Sequence, residues 1–249
     1  MTKAIKLFVL IFLVFTCDFN NKITIFLIGD STMSDKPNPI ENPERGWGQM
    51  LPQFFNENVT IKNFAVNGRS TKSFITEGRW DSVASEIKKG DYVFIQFGHN
   101  DQKFKDSLRY TNPLTAYRKN LIKFVNETRE KDGIPVLFSP VVRRNFNEFG
   151  VLIDTHGLYP LIMRQVAIEL KVPFVDLQLK SENFILSAGQ EKSKEIYLWV
   201  EPGQNTMYPE GKQDNTHFSV KGATEISKLA VEGLKENGLA ITGFLKNKK

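Results

Sequence analysis

The sequence predicts an α/β fold in which a five-stranded parallel sheet is covered by helices on both faces. Short runs of apolar and β-branched residues alternate along the chain with longer segments whose apolar residues recur at helical spacing. Polar or glycine-containing turns follow the apolar runs. With 249 residues, 41% of them hydrophobic, the chain is long enough for one sizeable core, and we expect a single domain over residues 22–245.

Composition and charge exclude several classes of protein. The net charge is only +5, and no basic run with interleaved aromatic residues accompanies it, so we expect no nucleic-acid partner. A mildly positive net charge is compatible with an acidic substrate but does not require one. Histidine, cysteine and carboxylate residues do not cluster with the spacing of a metal site, so we expect no metal.

The first 17 residues predict an export signal. Two lysines precede an apolar run over residues 7–15, which is too short to span a bilayer. Cys17 follows this run as the lipid-modified cysteine does in bacterial lipoproteins, although Phe15 and Thr16 replace the usual small residues. Two alternatives remain open: Cys17 is lipidated, or the protein is simply secreted after cleavage near this residue. We expect a protein that is secreted, periplasmic or lipid-anchored at the bacterial cell envelope, without a transmembrane span in the mature chain.

Each predicted strand ends at a polar or glycine-containing turn. The first, over 23–28, is a buried run that stops at Gly29. Further strands are predicted over 59–65, 91–97, 134–138 and 172–175. Because crossover connections place the carboxyl ends of parallel strands on one edge, four turns should meet there. These turns are Gly29-Asp-Ser, Asn67-Gly68, Gly98-His-Asn and Ser139-Pro140.

The segments between the strands have helical patterns. A long helix opens at Pro113, a residue suited to the first turn, and Gly133 ends the segment that contains it. The predicted helices cover residues 46–55, 80–89, 113–131, 158–170, 177–190 and 220–237. Residues 34–45 carry three prolines and predict a surface loop, and a second loop is predicted over 191–214.

Ser31 follows the first strand at the edge where α/β proteins bind their ligands, and we interpret it as a nucleophile. The alternative is a serine that only shapes a turn or caps a helix. Met33 replaces the second glycine of the Gly-x-Ser-x-Gly elbow of α/β-hydrolases. A serine hydroxyl also needs a base within hydrogen-bond reach to become nucleophilic.

His217 is the candidate base, because it stands before the last helix with Asp214 three residues earlier. This spacing lets one loop hold both groups, with the carboxylate accepting from imidazole Nδ1 and Nε2 left for the serine. An exposed loop histidine is the alternative. The Ser31 N–H, the Gly68 N–H and the Asn100 side-chain amide are candidate oxyanion donors. Gly68 and Asn100 could equally be turn residues.

The chain resembles the SGNH (GDSL) hydrolase superfamily over about residues 23–236. The resemblance rests on four blocks in order: Gly29-Asp30-Ser31, Gly68 within Asn-Gly-Arg, Gly98-His99-Asn100-Asp101 and Asp214-x-x-His217. The flanking segments are similar to those of rhamnogalacturonan acetylesterases and their bacterial carbohydrate-esterase relatives. These segments are Asp30-Ser-Thr-Met, Gly46-Trp-Gly-Gln, Asn67-Gly-Arg-Ser, Glu77-Gly-Arg-Trp80 and Gln96-Phe-Gly-His-Asn-Asp.

The resemblance implies a flavodoxin-like, three-layer α/β/α fold and ester hydrolysis without a metal or other cofactor. It implies that Ser31 is the nucleophile, His217 the base and Asp214 its orienting carboxylate, with Ser31, Gly68 and Asn100 forming the oxyanion hole. The expected activity is removal of acetyl groups from a plant cell-wall polysaccharide, above all pectic rhamnogalacturonan. The alternatives are another carbohydrate O-acetylesterase such as one for acetyl xylan, a GDSL lipase or thioesterase, and an inactive surface glycan-binding protein.

Several residues near the predicted strand ends are candidate contacts for a sugar polymer. Tryptophan faces stack on sugar rings, and arginine pairs bidentately with uronate carboxylates. The substrate-binding candidates are His99, Trp80, Arg79 and Arg143, with Trp47, Arg69 and Arg144 as further residues of the rim. The alternative is that the tryptophans lie in the core and the arginines are solvated. His156 is predicted at the surface or at a helix cap, and Asp101 could hold the turn after Asn100 in shape.

Overall fold

The computed structural model describes residues 22–246. Strands within this range are β1 (Ile23–Gly29), β2 (Glu44–Arg45), β3 (Val59–Asn63), β4 (Tyr92–Gln96), β5 (Ile134–Phe138), β6 (Phe174–Val175), β7 (Tyr197–Val200) and β8 (Lys212–Ser219). A parallel sheet contains five of them in the order β3-β1-β4-β5-β6. The predicted α/β class with a five-stranded parallel sheet is confirmed. The domain boundaries stay a prediction, and the proposed export signal and Cys17 lie outside the described residues.

Helices connect these strands. They are α1 (Trp47–Met50), α2 (Thr71–Thr76), α3 (Arg79–Glu86), α4 (Arg118–Glu130), α5 (Tyr159–Leu170), α6 (Leu177–Lys192) and α7 (Val220–Glu236). Helix α2 was not predicted; it begins at Ser70, whose side chain accepts from the Ser73 N–H in a capping box. Between residues 22 and 246, no helix combines the length and apolarity that crossing a membrane requires.

The two faces of the parallel sheet pack against separate sets of helices. Successive residues of a strand point to opposite faces, and β1 follows this rule. Ile25 and Leu27 pack in a cluster with the apolar residues of α1 and α7, whereas Phe26 and Ile28 pack with those of α3, α4 and α5. All four side chains are buried, each contributing about 1.5–3 kcal/mol through apolar burial. Because all five strands run parallel, their carboxyl ends lie at one edge of this covered sheet.

The prediction of a loop over residues 191–214 is wrong, because part of this segment belongs to a second sheet. Strands β2, β8 and β7 pair antiparallel in that order. The predicted loop overlooks β7, which is a short apolar run of sequence Tyr-Leu-Trp-Val, whereas β8 is almost wholly polar and lacks the apolar pattern that predicts a strand. The loop predicted over 34–45 is also partly wrong, since Lys36 and Arg45 are buried.

Candidate active site

Ser31 lies in a tight turn directly after β1. The turn is closed by Asp30, whose carbonyl oxygen accepts from the N–H groups of Met33 at 3.2 Å and Ser34 at 3.0 Å. The buried Asp30 carboxylate also accepts from Thr32, at 2.9 Å from its N–H and 2.8 Å from its hydroxyl. Asp30 therefore holds the backbone on both sides of the serine.

A hydrogen-bonded chain connects Ser31, His217 and Asp214. His217 Nε2 lies 2.8 Å from Ser31 Oγ, and His217 Nδ1 lies 2.8 Å from Asp214 Oδ2. A carboxylate only accepts hydrogen bonds, so Nδ1 carries the ring proton and Nε2 is free to accept from the serine. Burial opposes ionisation of Asp214, but hydrogen bonds from the side chain and N–H of His217 outweigh it and hold the carboxyl pKa far below its usual value.

His217 lies in a bulge of β8, not in the predicted open loop. Tyr197 pairs with Phe218, but the next residue of β7, Leu198, pairs with Asp214. Residues 215–217 of β8 therefore have no counterpart in β7, and the extra residues bend the strand. This bend lets one strand present both Asp214 and His217 to the serine.

Arg144 and Trp199 hold the bulge in place through Asn215. The Arg144 N–H donates to the Asn215 carbonyl at 2.9 Å, and its guanidinium donates to Asn215 Oδ1 at 3.2 Å. Trp199 Nε1 donates to the same oxygen at 2.9 Å, and the Arg144 guanidinium lies 5.0 Å from the Trp199 ring. Arg144 is buried, so its predicted place among the rim residues is wrong. It positions the strand that carries the candidate base.

Three candidate oxyanion donors lie in turns that are bonded to one another. The Val66 N–H donates to the Gly29 carbonyl at 3.1 Å, which joins the Gly68 turn to the end of β1. Asn100 Nδ2 donates to the Arg69 carbonyl at 3.1 Å, leaving its second N–H free. Within residues 22–246, the N–H groups of Ser31 and Gly68 have no protein acceptor. Gly68 has a φ of +77°, which favours glycine.

Lys36 is a residue of the site that sequence analysis missed. Its ammonium donates to the Ser31 carbonyl at 2.7 Å and to Asn67 Oδ1 at 2.6 Å, and it pairs with Glu44 Oε1 at 2.8 Å. The residue is only 4% exposed. It thus ties the nucleophile turn to the turn that presents the Gly68 N–H. No pattern could have revealed it, because a lysine at the start of a proline-rich segment is typical of a solvated loop.

Two histidines are buried beneath the candidate active site and do not line it. His99 is buried, with Nδ1 3.3 Å from Asp30 Oδ2, and its ring meets the buried His156 ring edge-on at 4.5 Å between centroids. Burial lowers the pKa of both imidazoles. The predicted substrate contact of His99 and the surface position of His156 are both wrong, because both side chains are buried. Arg143 donates to the His99 carbonyl at 3.3 Å.

The predicted sugar-stacking tryptophans belong to the core. Trp80 is fully buried, packs edge-on against Phe124 and donates through Nε1 to Glu127, so its predicted substrate role is wrong. Trp47 is also fully buried, and its Nε1 donates to Gln96 Oε1 at 2.8 Å. These rings stabilise the two faces of the sheet, and neither is open to a ligand.

The arginines predicted to bind substrate form ion pairs or hydrogen bonds with other groups of the protein. Arg69 and Arg79 share Glu77, at 3.0 Å and 2.6 Å. The half-buried Arg143 donates to Thr155 Oγ1 at 2.9 Å in addition to the His99 carbonyl. Substrate roles for Arg79 and Arg143 stay predictions.

Asp101 fixes the turn that carries Asn100, as its place in the sequence suggested. Its Oδ1 accepts from the hydroxyls of Thr71 at 2.6 Å and Thr111 at 2.7 Å. Burial raises the pKa of the carboxyl to about 7 in spite of these donors. Across residues 22–246, no three His, Cys, Asp or Glu side chains are grouped in the way that a metal ion requires.

Comparisons with known proteins agree with this geometry. A sequence model described as the GDSL-like Lipase/Acylhydrolase family matches residues 27–224. Rhamnogalacturonan acetylesterase RhgT of Bacillus subtilis is 45% identical over 223 residues, which cover 90% of this chain and 94% of that protein. The rhamnogalacturonan acetylesterase of Emericella nidulans is 42% identical over 244 residues, 89% of each chain. The crystal structure of the Bacillus subtilis protein YxiM aligns with a TM-score of 0.75 and 26% identity, covering 88% of this chain and 58% of the other.

Proposed function

Since the chain belongs to the GDSL-like lipase/acylhydrolase family of ester hydrolases, we propose that it is a serine esterase that removes acetyl groups from plant cell-wall polysaccharide, in the first place pectic rhamnogalacturonan. Membership of the family confirms the resemblance predicted from the four sequence blocks. Two relatives that match almost over their full length bear the name rhamnogalacturonan acetylesterase, and this supports the choice of polymer.

The observation that carries the proposal is the hydrogen-bonded chain from Ser31 through His217 to Asp214, with 2.8 Å at each contact. The three side chains have the geometry of nucleophile, base and orienting carboxylate. The free N–H groups of Ser31 and Gly68 and the Asn100 amide lie on adjoining turns. This arrangement suits acyl transfer through a tetrahedral intermediate.

In the first step, Ser31 Oγ attacks the ester carbonyl carbon while His217 Nε2 takes the hydroxyl proton. The carbonyl π-bond electrons move to the oxygen, and the resulting oxyanion accepts from the Ser31 N–H, the Gly68 N–H and the Asn100 amide. One such donor is worth about 2.7–4 kcal/mol in the transition state. The intermediate collapses to an acetyl-serine, and the sugar oxygen leaves with the proton from His217.

In the second step, water attacks the acetyl-serine carbonyl and gives a proton to His217 Nε2. The second tetrahedral intermediate uses the same donors, because the acyl oxygen occupies the same place. Its collapse releases acetic acid and returns the proton from His217 to Ser31 Oγ. Asp214 keeps the Nδ1 proton throughout and stabilises the imidazolium that forms in each step.

The proposal is tested by acetate release from acetylated rhamnogalacturonan, homogalacturonan and xylan, with Ser31→Ala as the matched inactive variant. We expect the fastest release from rhamnogalacturonan and loss of most activity in the variant, by analogy with drops of about 10⁶ in other serine hydrolases. A series of p-nitrophenyl esters separates this function from a lipase or thioesterase, since a deacetylase should prefer acetate to long acyl chains. Binding of pectin without cleavage of any ester would favour an inactive glycan-binding protein instead.

We also propose that the protein is exported, as residues 1–17 predict. A polysaccharide cannot cross a membrane, so the proposed enzyme must meet its substrate outside the cytoplasm. Two forms of export are distinguished by replacing Cys17 with serine. Release of the variant from membranes into the medium would indicate a lipid anchor, whereas an unchanged distribution would indicate plain secretion.

A further inference from the structure

The segment over residues 102–111 forms an exposed loop immediately after Asn100. The loop carries Phe104, which is 72% exposed, together with Lys103 and Arg109. Its backbone is bonded to the turn that presents Asn100, because the Lys103 N–H donates to the Asn100 carbonyl at 3.2 Å. The loop therefore adjoins the turn that carries this candidate oxyanion donor.

Arg109 is oriented toward the Gly68 turn by an acidic neighbour. Its Nε and Nη2 atoms lie 2.6 Å and 2.5 Å from Asp106 Oδ2. This pairing leaves Nη1 for another acceptor, and Nη1 lies 3.6 Å from the point where a Cβ on Gly68 would stand. The Arg109 guanidinium thus lies beside a candidate oxyanion donor, with Nη1 on the side of Gly68 and Asp106 on Nε and Nη2.

Lys103 lies in the same positive environment. Burial lowers the pKa of Lys103, the charges of Arg109 and Arg143 lower it further, and Asp106 and Asp30 oppose the shift. Among the ion pairs of residues 22–246, Lys103 has no partner, in contrast to Arg69 and Arg79, which share Glu77. A negatively charged group near Lys103 would therefore gain a charge-assisted hydrogen bond without displacing a protein carboxylate.

A groove of about 610 Å³ runs along this loop. Lys103, Phe104 and Thr155 are among the residues that line it. The exposed Phe104 ring offers an apolar face on which a sugar ring can pack. The groove thus combines an aromatic surface with the cationic side chains of Lys103 and Lys105 and with the Asp106 carboxylate that pairs with Arg109.

We propose that Lys103 and Arg109 form a carboxylate subsite beside the oxyanion hole, which binds a uronate residue adjoining the acetylated sugar while Phe104 packs against the sugar ring. This inference rests on the proposed deacetylation of a polysaccharide and names the residues that select an acidic one. The subsite binds the substrate carboxylate and takes no part in breaking the ester bond.

The alternative for Arg109 is a direct effect on the oxyanion, since its Nη1 is close to Gly68. The two roles have different kinetic consequences. A carboxylate subsite acts only on acidic substrates, whereas a cation that stabilises the oxyanion accelerates hydrolysis of every ester. The experiment must therefore compare substrates that differ only in the uronate carboxylate.

The test uses an acetylated galacturonate-containing oligosaccharide and the same oligosaccharide with its carboxyl groups reduced to alcohols. The parent protein should have a kcat/KM for acetate release about tenfold higher on the acidic form, since one charge-assisted hydrogen bond corresponds to roughly this factor. Lys103→Ala and Arg109→Gln should each lower this ratio, and the double variant should bring it close to one. Lys88→Ala, which removes a charge at the opposite edge of the sheet, should keep the parent ratio.

Each other outcome contradicts the inference in a recognisable way. If the parent deacetylates both forms equally well, the subsite is refuted while the deacetylase function stands. An equal loss on both forms in Arg109→Gln would assign the guanidinium to the oxyanion and refute the subsite. If neither form, nor any acetylated polysaccharide, is deacetylated, the proposed function and the subsite fail together.

Discussion

The Nδ1 atom of His99 lies 3.3 Å from Oδ2 of Asp30, in a contact that joins the turns after β4 and β1. Asp30 precedes Ser31, and His99 precedes Asn100, so the contact sets the separation between the candidate nucleophile and an oxyanion donor. Both side chains are buried. Burial lowers the pKa of the His99 imidazole, and the neighbouring Asp30 carboxylate opposes that shift.

Replacing His99 with leucine should lower kcat on p-nitrophenyl acetate while KM changes little. The reason is geometric, since misplacing a reacting group by about 1 Å can reduce the rate about 10²-fold. His99→Gln, whose amide can still donate toward Asp30, should recover part of kcat. If the leucine variant loses thermal stability but keeps kcat, the contact serves only to stabilise the fold.

Asp214→Asn should reduce kcat by about 10⁴, with little change in KM. An asparagine amide in this place donates to His217 Nδ1, which moves the ring proton to Nε2 and blocks acceptance from Ser31. The measurement is steady-state hydrolysis of p-nitrophenyl acetate, with circular dichroism to verify the fold. A variant that keeps a tenth or more of the parent kcat would mean that Asp214 does not orient the base.

Lys36→Met should destabilise the protein by up to about 3–5 kcal/mol, because it leaves the partly buried Glu44 without its cation. The double variant Lys36→Met with Glu44→Gln should recover much of the free energy of unfolding measured in urea. It should not recover kcat, since the Ser31 carbonyl and Asn67 have still lost their shared donor. Recovery of both quantities together would show that Lys36 only neutralises Glu44.

Asp101 should contribute a fall in stability between about pH 4 and pH 7, which the buried His99 and His156 oppose because burial lowers the pKa of both imidazoles. Burial raises the pKa of this carboxyl to about 7 in the folded state, against about 3.9 in an unfolded chain. In this window the folded state holds a proton on Asp101 that the unfolded state has released, so the contribution of Asp101 to stability declines with rising pH, by on the order of 1.4 kcal/mol per pH unit.

Asp101→Asn should remove that contribution while keeping an acceptor for Thr71 and Thr111, so the stability of the variant relative to the parent should increase from pH 4 to pH 7. The measurement is urea unfolding at several pH values from 4 to 8. The exposed Asp81→Asn is the matched control and should keep the parent's pH dependence. Parallel pH profiles for the parent and Asp101→Asn would contradict this assignment.

Local patterns were enough to predict the parallel sheet. The near-continuous apolar runs of β1, β4 and β5 are typical of strands buried on both faces, and the structure places all three inside the sheet. The turn residues after these strands were equally visible, because a parallel sheet must bring them to one edge. Ser31, Gly68 and Asn100 could therefore be proposed together, although they are distant in the chain.

The second sheet and the residues behind the site could not be predicted in this way. The polar β8 is a strand only because β2 and β7 pair with it, and its bulge depends on contacts from Arg144 and Trp199. Likewise, whether a tryptophan such as Trp80 faces a sugar or the core depends on which helix packs over it. Residue type alone does not contain that information.

The sequence by itself determined the α/β class, the edge at which the site lies and the residues Ser31, Asp214 and His217, because periodicity, turn chemistry and ordered motifs are local properties. Only the tertiary structure decided that Lys36 is buried beneath the nucleophile turn, that His99 faces Asp30, and that Arg109 borders Gly68. These relationships join segments that are far apart in the chain. Their physical cause is burial, which makes a charged or polar group take a specific partner that the order of residues does not name.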